Sequence, residues 1–182
     1  GNNSVKVGGL RPDTEIMAYI YALDVHTGKV AKSYTFDNVA RTATLGEANP
    51  SIELVGYFSG DEAGALFGDA NATRGKAITV VKYNDLEDVR TLFTTMVEGD
   101  CTNSSTYSDV ELWGITDGYW KSCNVSSPYT FYLVDWNVEQ TALAYATDNT
   151  GKVGAIARLY TMPTAENKGD IEVLKALVAS LE

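Results

Sequence analysis

The sequence has 182 residues, of which 45% are hydrophobic, and its 24 acidic and 14 basic side chains give a formal net charge of −10. This length predicts one domain spanning residues 1–182, because a second core would leave each half small and marginally stable. The acidic charge argues against nucleic-acid partners, since phosphate binding needs clustered Lys and Arg. No apolar stretch approaches the roughly 20 residues that cross a bilayer, which argues against membrane insertion.

The first elements in chain order are a flexible segment, expected over residues 1–10, and a β-hairpin, predicted over residues 16–36. The hairpin turns at His26, Thr27 and Gly28, where the glycine supplies the positive φ that such a turn needs. Six later segments are rich in β-branched and aromatic residues and end in turn signals. These predicted strands are residues 51–58, 75–83, 109–115, 129–136, 141–147 and 152–160.

Two segments do not follow the strand pattern. Residues 84–99 fit a helix by their apolar spacing and a strand by their threonines, and both interpretations stay open. Residues 170–182 have the period of an amphipathic helix, with Leu174, Leu177 and Val178 on one stripe behind Asp170. The expected fold is therefore mainly β: an antiparallel meander closed into an up-and-down barrel, with a C-terminal helix on the sheet.

The two cysteines, Cys101 and Cys123, bracket an aromatic segment. An even cysteine count together with the N-x-Ser/Thr patterns at Asn71, Asn103 and Asn124 favours an oxidising compartment, and a further such pattern starts at Asn2. We therefore expect a disulfide, a secreted protein and glycosylation at the three internal asparagines. Two unpaired buried thiols and a redox role are the alternatives for the cysteine pair.

Enzyme signatures are absent from the sequence. Residues 68–77 lack the spacing and the Ser or Thr of a phosphate loop, and Arg74 occupies the position where a calcium loop needs Gly. The single histidine, His26, lies beside a turn, and no His/Cys cluster is present. The sequence predicts a protein that is not an enzyme and has no metal or cofactor, although a pair of carboxylates among the 24 acids is an open alternative.

The last third of the sequence resembles the C-terminal half of lipocalins. The residues that carry the resemblance are Tyr129, Asp135, Tyr145, Arg158 and Pro163, followed by the C-terminal helix. The resemblance implies a barrel of the calycin type that holds a small hydrophobic molecule. It also implies that the guanidinium of Arg158 lies across the closed end of the barrel, on an aromatic ring or on carbonyls of the first strand.

One departure from the lipocalin pattern is clear, because no tryptophan precedes Trp113 and the N-terminal Gly-x-Trp motif of the family is missing. The leading hypothesis is a secreted protein that binds and transports a lipid, retinoid or tetrapyrrole-like ligand. The ligand cavity would be lined by Trp113, Tyr132 and Tyr145. The alternative is a secreted β-rich interaction module with a filled core, which binds a protein or glycan partner through its loops or one face.

Overall fold

A computed structural model describes the chain over residues 15–35, 40–42 and 44–181. The chain divides into two compact units, residues 1–45 and residues 46–182. The segment expected to be flexible, residues 1–10, lies outside the described residues.

The first unit contains the predicted hairpin. Its described residues form the strands β1 (Glu15–Ile16), β2 (Tyr19–Leu23), β3 (Val30–Thr35) and β4 (Ala40–Arg41). β2 pairs with β3 and β1 pairs with β4, both antiparallel. At the hairpin turn Gly28 has φ 65°, and the Asp24 carboxylate accepts hydrogen bonds from the backbone N–H groups of His26 (2.9 Å) and Thr27 (2.8 Å). Asp24 is a turn-fixing residue that sequence reasoning missed.

Over residues 46–181, the second unit forms seven strands, all in antiparallel pairs, and three α-helices. The strands are β5 (Ser51–Ser59), β6 (Ala77–Asn84), β7 (Val89–Glu98), β8 (Lys121–Cys123), β9 (Tyr129–Val134), β10 (Gln140–Asp148) and β11 (Ala157–Thr161). The helices are α1 (Gly60–Ala63), which runs into a 3₁₀ turn (Gly64–Phe67), α2 (Asp109–Ile115) and α3 (Ile171–Leu181). The predicted mainly β class and C-terminal helix are confirmed. No helix among the described residues is long and apolar enough to cross a membrane.

The strand order differs from the expected meander. One sheet has the order β11-β10-β7-β8 and the other has the order β5-β6-β9, so β6 does not pair with β7 although only residues 85–88 join them. The connection turns sharply because Asp85 adopts a left-handed conformation, with φ 59°. Its carboxylate then accepts a hydrogen bond from Ser51. The short link therefore carries the chain from one sheet to the other, and sequential pairing was the wrong prediction.

Within residues 84–99, which the sequence left open, Val89–Glu98 form the strand β7 and no helix forms. Residues 109–115, predicted as a strand, instead form the helix α2. This helix begins with a capping box, because Ser108 Oγ accepts from the Glu111 N–H (3.3 Å) and Glu111 Oε2 accepts from the Ser108 N–H (2.7 Å). The spacing of Ser and Glu was visible in the sequence and favoured the helix.

Three hydrophobic clusters form the core of the second unit. One lies between the sheets and includes Val81, Leu92 and Ala144. A second packs α3 through Leu174 against β5 and β6, and a third packs α2 through Leu112 against β10. Because side chains alternate across a strand, each sheet has one face in the inter-sheet cluster and the other beneath a helix.

The expected disulfide is absent, and Cys101 and Cys123 are free thiols. Cys123 pairs with Leu92 of β7. The backbone N–H of Cys101 instead donates to Thr141 Oγ1 (2.8 Å), and Thr141 pairs with Val97 at the other end of β7. Five residues of strand span about 16 Å, whereas bonded cysteines have Cα atoms within about 7 Å. The disulfide prediction was therefore wrong.

Arg158 fixes the segment that leads into α2. Its guanidinium donates to the carbonyls of Cys101 (3.0 Å) and Tyr107 (2.6 Å) and to the carboxylate of Asp109, the first residue of the helix. The side chain is only 8% exposed. The resemblance to lipocalins predicts other partners, and the observed bonds give Arg158 the role of holding α2 against the sheet.

We expect Arg158→Met to lower the free energy of unfolding by about 3 kcal/mol, because it leaves two carbonyls and a carboxylate without their charged donor. Urea denaturation followed by tryptophan fluorescence measures this. Lys175→Met is the matched control, since it removes a lysine whose exposed ion pair with Glu172 contributes at most about 1 kcal/mol. Equal losses in the two variants would contradict this role of Arg158.

Candidate functional site

A cleft of about 360 Å³ opens between the two sheets of the second unit. Its walls are residues 94–96 of β7 and residues 130 and 132–134 of β9, and Tyr119 and Lys121 line it as well. Among the described residues, no strand pairs with β9 on the side opposite β6. The sheets are therefore open along this cleft.

The short strand β8 shows what fits between the two walls. β8 pairs with β7 from Leu92 to Thr94. Its last residue, Cys123, places Sγ 3.8 Å from the Tyr129 carbonyl and 3.9 Å from Thr130 Oγ1, both on β9. β8 thus lies between β7 and β9 at one end. The cleft continues along the same line from Lys121 toward Met96.

The backbone groups of β9 that face the cleft follow from its pairing with β6. The N–H of Tyr83 on β6 donates to the carbonyl of Pro128 (2.9 Å), which makes these two residues a hydrogen-bonded pair. Hydrogen-bonded pairs alternate along an antiparallel ladder, so every second residue of β9 after Pro128 bonds to β6. Phe131 and Leu133 lie between those positions, and their N–H and C=O groups point away from β6, into the cleft.

The same reasoning applies to β7. The N–H of Gly99 donates to the carbonyl of Glu139 at the end of β10 (2.8 Å), so the odd-numbered residues of β7 bond to β10. The even-numbered residues point to the other side, where β8 pairs with Leu92 and Thr94. β8 begins at Lys121, opposite Thr94, and does not reach further along β7. The backbone groups of Met96 and Glu98 therefore face the cleft.

Hydroxyl groups line the inner face of the cleft. The Tyr132 hydroxyl lies 3.2 Å from that of Tyr83 and also interacts with Thr94 and Thr130. Burial raises the pKa of both tyrosines above the ordinary value of 10.0. Thr79, the cross-strand neighbour of Tyr132, is fully buried, and its hydroxyl has no hydrogen-bond partner among the described residues. This face offers neutral donors and acceptors in a buried setting.

Lys121 brings the positive charge of the cleft. It pairs with Thr94 across β8 and β7, so the two side chains lie on the same face of the sheet. Lys121 is exposed, and among the described residues no carboxylate lies within ion-pair distance of it. Its ammonium is therefore available to an incoming anion.

The three predicted ligand-lining residues do not share one volume. The rings of Trp113 and Tyr145 touch, with centroids 4.3 Å apart, and Trp120 and Phe93 each lie 4.8 Å from Tyr145. This aromatic cluster covers the sheet beneath α2. Tyr132 instead packs in the inter-sheet cluster. The structure brings Trp113 and Tyr145 together, whereas Tyr132 lies between the two sheets.

The aromatic cluster has one unusual polar atom. The indole N–H of Trp120 is buried and has no hydrogen-bond partner within the part of the chain that the structure describes. Trp113 projects from α2 and Trp120 immediately precedes β8, so the cluster ties the helix and the strand to the same patch of sheet. Its geometry is that of packed core rings in tilted and edge contacts.

The predicted glycosylation acceptors Asn71, Asn103 and Asn124 are all exposed. The side-chain oxygens of Asn103 and Asn124 accept hydrogen bonds from the N–H groups of Ser105 and Ser126, both at 2.9 Å, which places these two asparagines in tight turns. Glycosylation stays a prediction.

A second cleft, of about 480 Å³, is lined by Trp136, Asn137, Ala165 and Lys168. Its lysine is already paired with Glu62 at 2.6 Å. Within the described ranges, no group of three or more His, Cys, Asp or Glu residues is placed to hold a metal ion. The cleft between β7 and β9 thus combines the free strand edges, the hydroxyls and the free charge.

Comparison with known proteins identifies no relative: the chain matches no protein-family model, and no curated protein is significantly similar to it in sequence. The relationship to lipocalins stays a prediction. The function is therefore argued from the geometry of the cleft.

The buried tyrosines predict a loss of stability at alkaline pH. Because the pKa of Tyr83 is raised in the folded protein, its contribution is complete below pH 10.0 and is lost as pH rises above that value. Tyr83→Phe should reduce the slope of unfolding free energy against pH in this range by about 1.4 kcal/mol per pH unit. Urea denaturation at a series of pH values measures the slope.

The control for this experiment is Tyr119→Phe, which removes a hydroxyl from a side chain that is 69% exposed. The control variant should keep the slope of the wild-type protein. An unchanged slope in Tyr83→Phe would show that Tyr83 is not buried as described.

Proposed function

We propose that the chain is a binding module that takes an extended polypeptide segment into the cleft between β7 and β9. The observation that supports this most is the pair of free strand edges that face one space. Met96 and Glu98 on one wall, and Phe131 and Leu133 on the other, each direct one N–H and one C=O into the cleft. A guest strand would join the two sheets by main-chain hydrogen bonds, which is the general mode of recognition by strand addition.

Strand addition suits the energetics of these edges. Each intramolecular hydrogen bond contributes only about 0.5–1.5 kcal/mol net, so affinity requires several of them on both walls. The spacing between β7 and β9 suits one guest strand, because β8 already lies between them at one end. The guest would extend this path, with alternate side chains toward the hydroxyl-lined face and toward solvent.

The packing between the sheets supports a surface site over an interior one. Val81, Leu92, Ala142 and Ala144 are fully buried in contact with one another, which leaves their volume to side chains and not to a guest. The lipocalin-like closed barrel, its small hydrophobic ligand and the role of Trp113 as a ligand-lining residue stay predictions. We therefore propose the second of the two functions that the sequence suggests, an interaction module with a filled core, with the partner bound at strand edges.

Secretion and the absence of catalysis also stay predictions. With both cysteines free, the N-x-Ser/Thr patterns alone support an oxidising compartment. Peptide binding by main-chain groups is compatible with any compartment and needs no cofactor.

The test uses a library of short peptides with alternating apolar and polar residues and no proline, with binding measured by fluorescence anisotropy. We expect saturable binding of a subset to the full chain. Leu133→Pro should abolish it, because proline lacks the N–H that faces the cleft and leaves the β6 ladder intact. Leu133→Ala, which keeps the N–H and trims a side chain that is 46% exposed, should bind nearly as well as the wild type.

Three outcomes decide the proposal. Loss of binding in Leu133→Pro alone supports it, provided circular dichroism shows a folded variant. Equal binding by both variants would contradict it. Binding of retinol, a fatty acid or haem with quenching of tryptophan fluorescence, and no binding of any peptide, would instead favour the small-ligand hypothesis.

A further inference from the structure

The path of β8 also sets the direction of a guest strand, which deepens the proposed function and depends on it. β8 runs antiparallel to β7. It is joined to β9 by the short segment 124–128 and contacts the beginning of β9, so β7 and β9 run in the same direction. A guest that runs in the direction of β8 is therefore antiparallel to both walls, and antiparallel pairing is the more stable and more frequent kind.

β8 itself blocks one end of this path. A guest in the β8 direction enters beside Glu98 and proceeds toward Thr94, where Lys121 already pairs. The guest chain cannot pass Lys121 because the backbone of β8 occupies the same position between the walls. A segment from the middle of a longer chain would have to bend sharply out of the cleft at this point, whereas a chain that ends here needs no bend.

We propose that the cleft recognises the C-terminal end of an extended polypeptide, and that Lys121 binds its terminal carboxylate. The ammonium lies on the same face of the sheet as Thr94 and has no ion-pair partner among the described side chains. Thr94 and Thr130 line the same end of the cleft, so this end is polar as well as positively charged. Charge-assisted hydrogen bonds of this kind are the stronger ones in proteins.

The opposite end of the cleft has the opposite charge. Glu98, Asp100 and Glu139 lie where the end of β7 meets the start of β10, and all three are exposed. A carboxylate would be repelled there, while a basic residue of the guest would be attracted. The charges therefore favour the same direction that the strand pairing favours.

The experiment compares peptides of one sequence from the binding subset in three forms: a free C-terminal carboxylate, a C-terminal amide, and an amide with an internal Asp in place of a polar residue. For the wild-type chain we expect the amide to bind about fivefold more weakly than the free acid, the upper range for an exposed ion pair. Lys121→Gln should bind both forms equally, and Lys121→Glu should prefer the amide. Higher ionic strength should reduce the wild-type preference.

Lys175→Gln, on α3, is the matched control and should keep the wild-type preference. Equal wild-type binding of acid and amide, with both lost in Leu133→Pro, would overturn the carboxylate inference and leave the strand-binding function intact. Binding of the internal-Asp amide as tightly as the free acid would overturn the requirement for a chain end. Failure of every peptide to bind would overturn both proposals.

Discussion

The cleft of the second unit depends on the point at which β8 begins, at Lys121 opposite Thr94. An antiparallel strand continues while its backbone groups find partners, and β7 offers such partners as far as Glu98. The chain does not use them, because Trp120, directly before β8, packs its ring against Trp113 and Tyr145 on the outer face of the sheet. Packing of one side chain beneath α2 thus removes the backbone from the space between β7 and β9.

The position of Trp120 therefore accounts for both the aromatic cluster and the cleft. Burial of a large ring contributes on the order of 2–3 kcal/mol, which is comparable with the net value of a few hydrogen bonds at about 0.5–1.5 kcal/mol each. Arg158 reinforces the arrangement, because its bonds to Cys101, Tyr107 and Asp109 hold the start of α2 in place. The unpaired edges are left as the part of the structure that a partner can complete.

The sequence predicted the local elements better than their partners. The hairpin around Gly28, most strands and α3 follow from periodicity and turn residues, and α2 was missed although Ser108 and Glu111 signalled a capping box. Strand pairing between β6 and β9 depends on tertiary contacts that periodicity does not encode. The candidate site was missed for the same reason. Leu133 matters because its backbone groups point away from β6, and Lys121 matters because β8 begins there. Both facts become visible only when the strand register is known.

Amide hydrogen exchange measured residue by residue in the free protein tests the central claim most directly. The account predicts an alternating pattern, with rapid exchange at Met96, Glu98, Phe131 and Leu133, whose N–H groups face the cleft, and slow exchange at Thr95, Val97 and Tyr132, whose N–H groups bond within the sheets. Equal protection of the two sets would contradict the account, because it would mean that another strand already occupies the edges of β7 and β9.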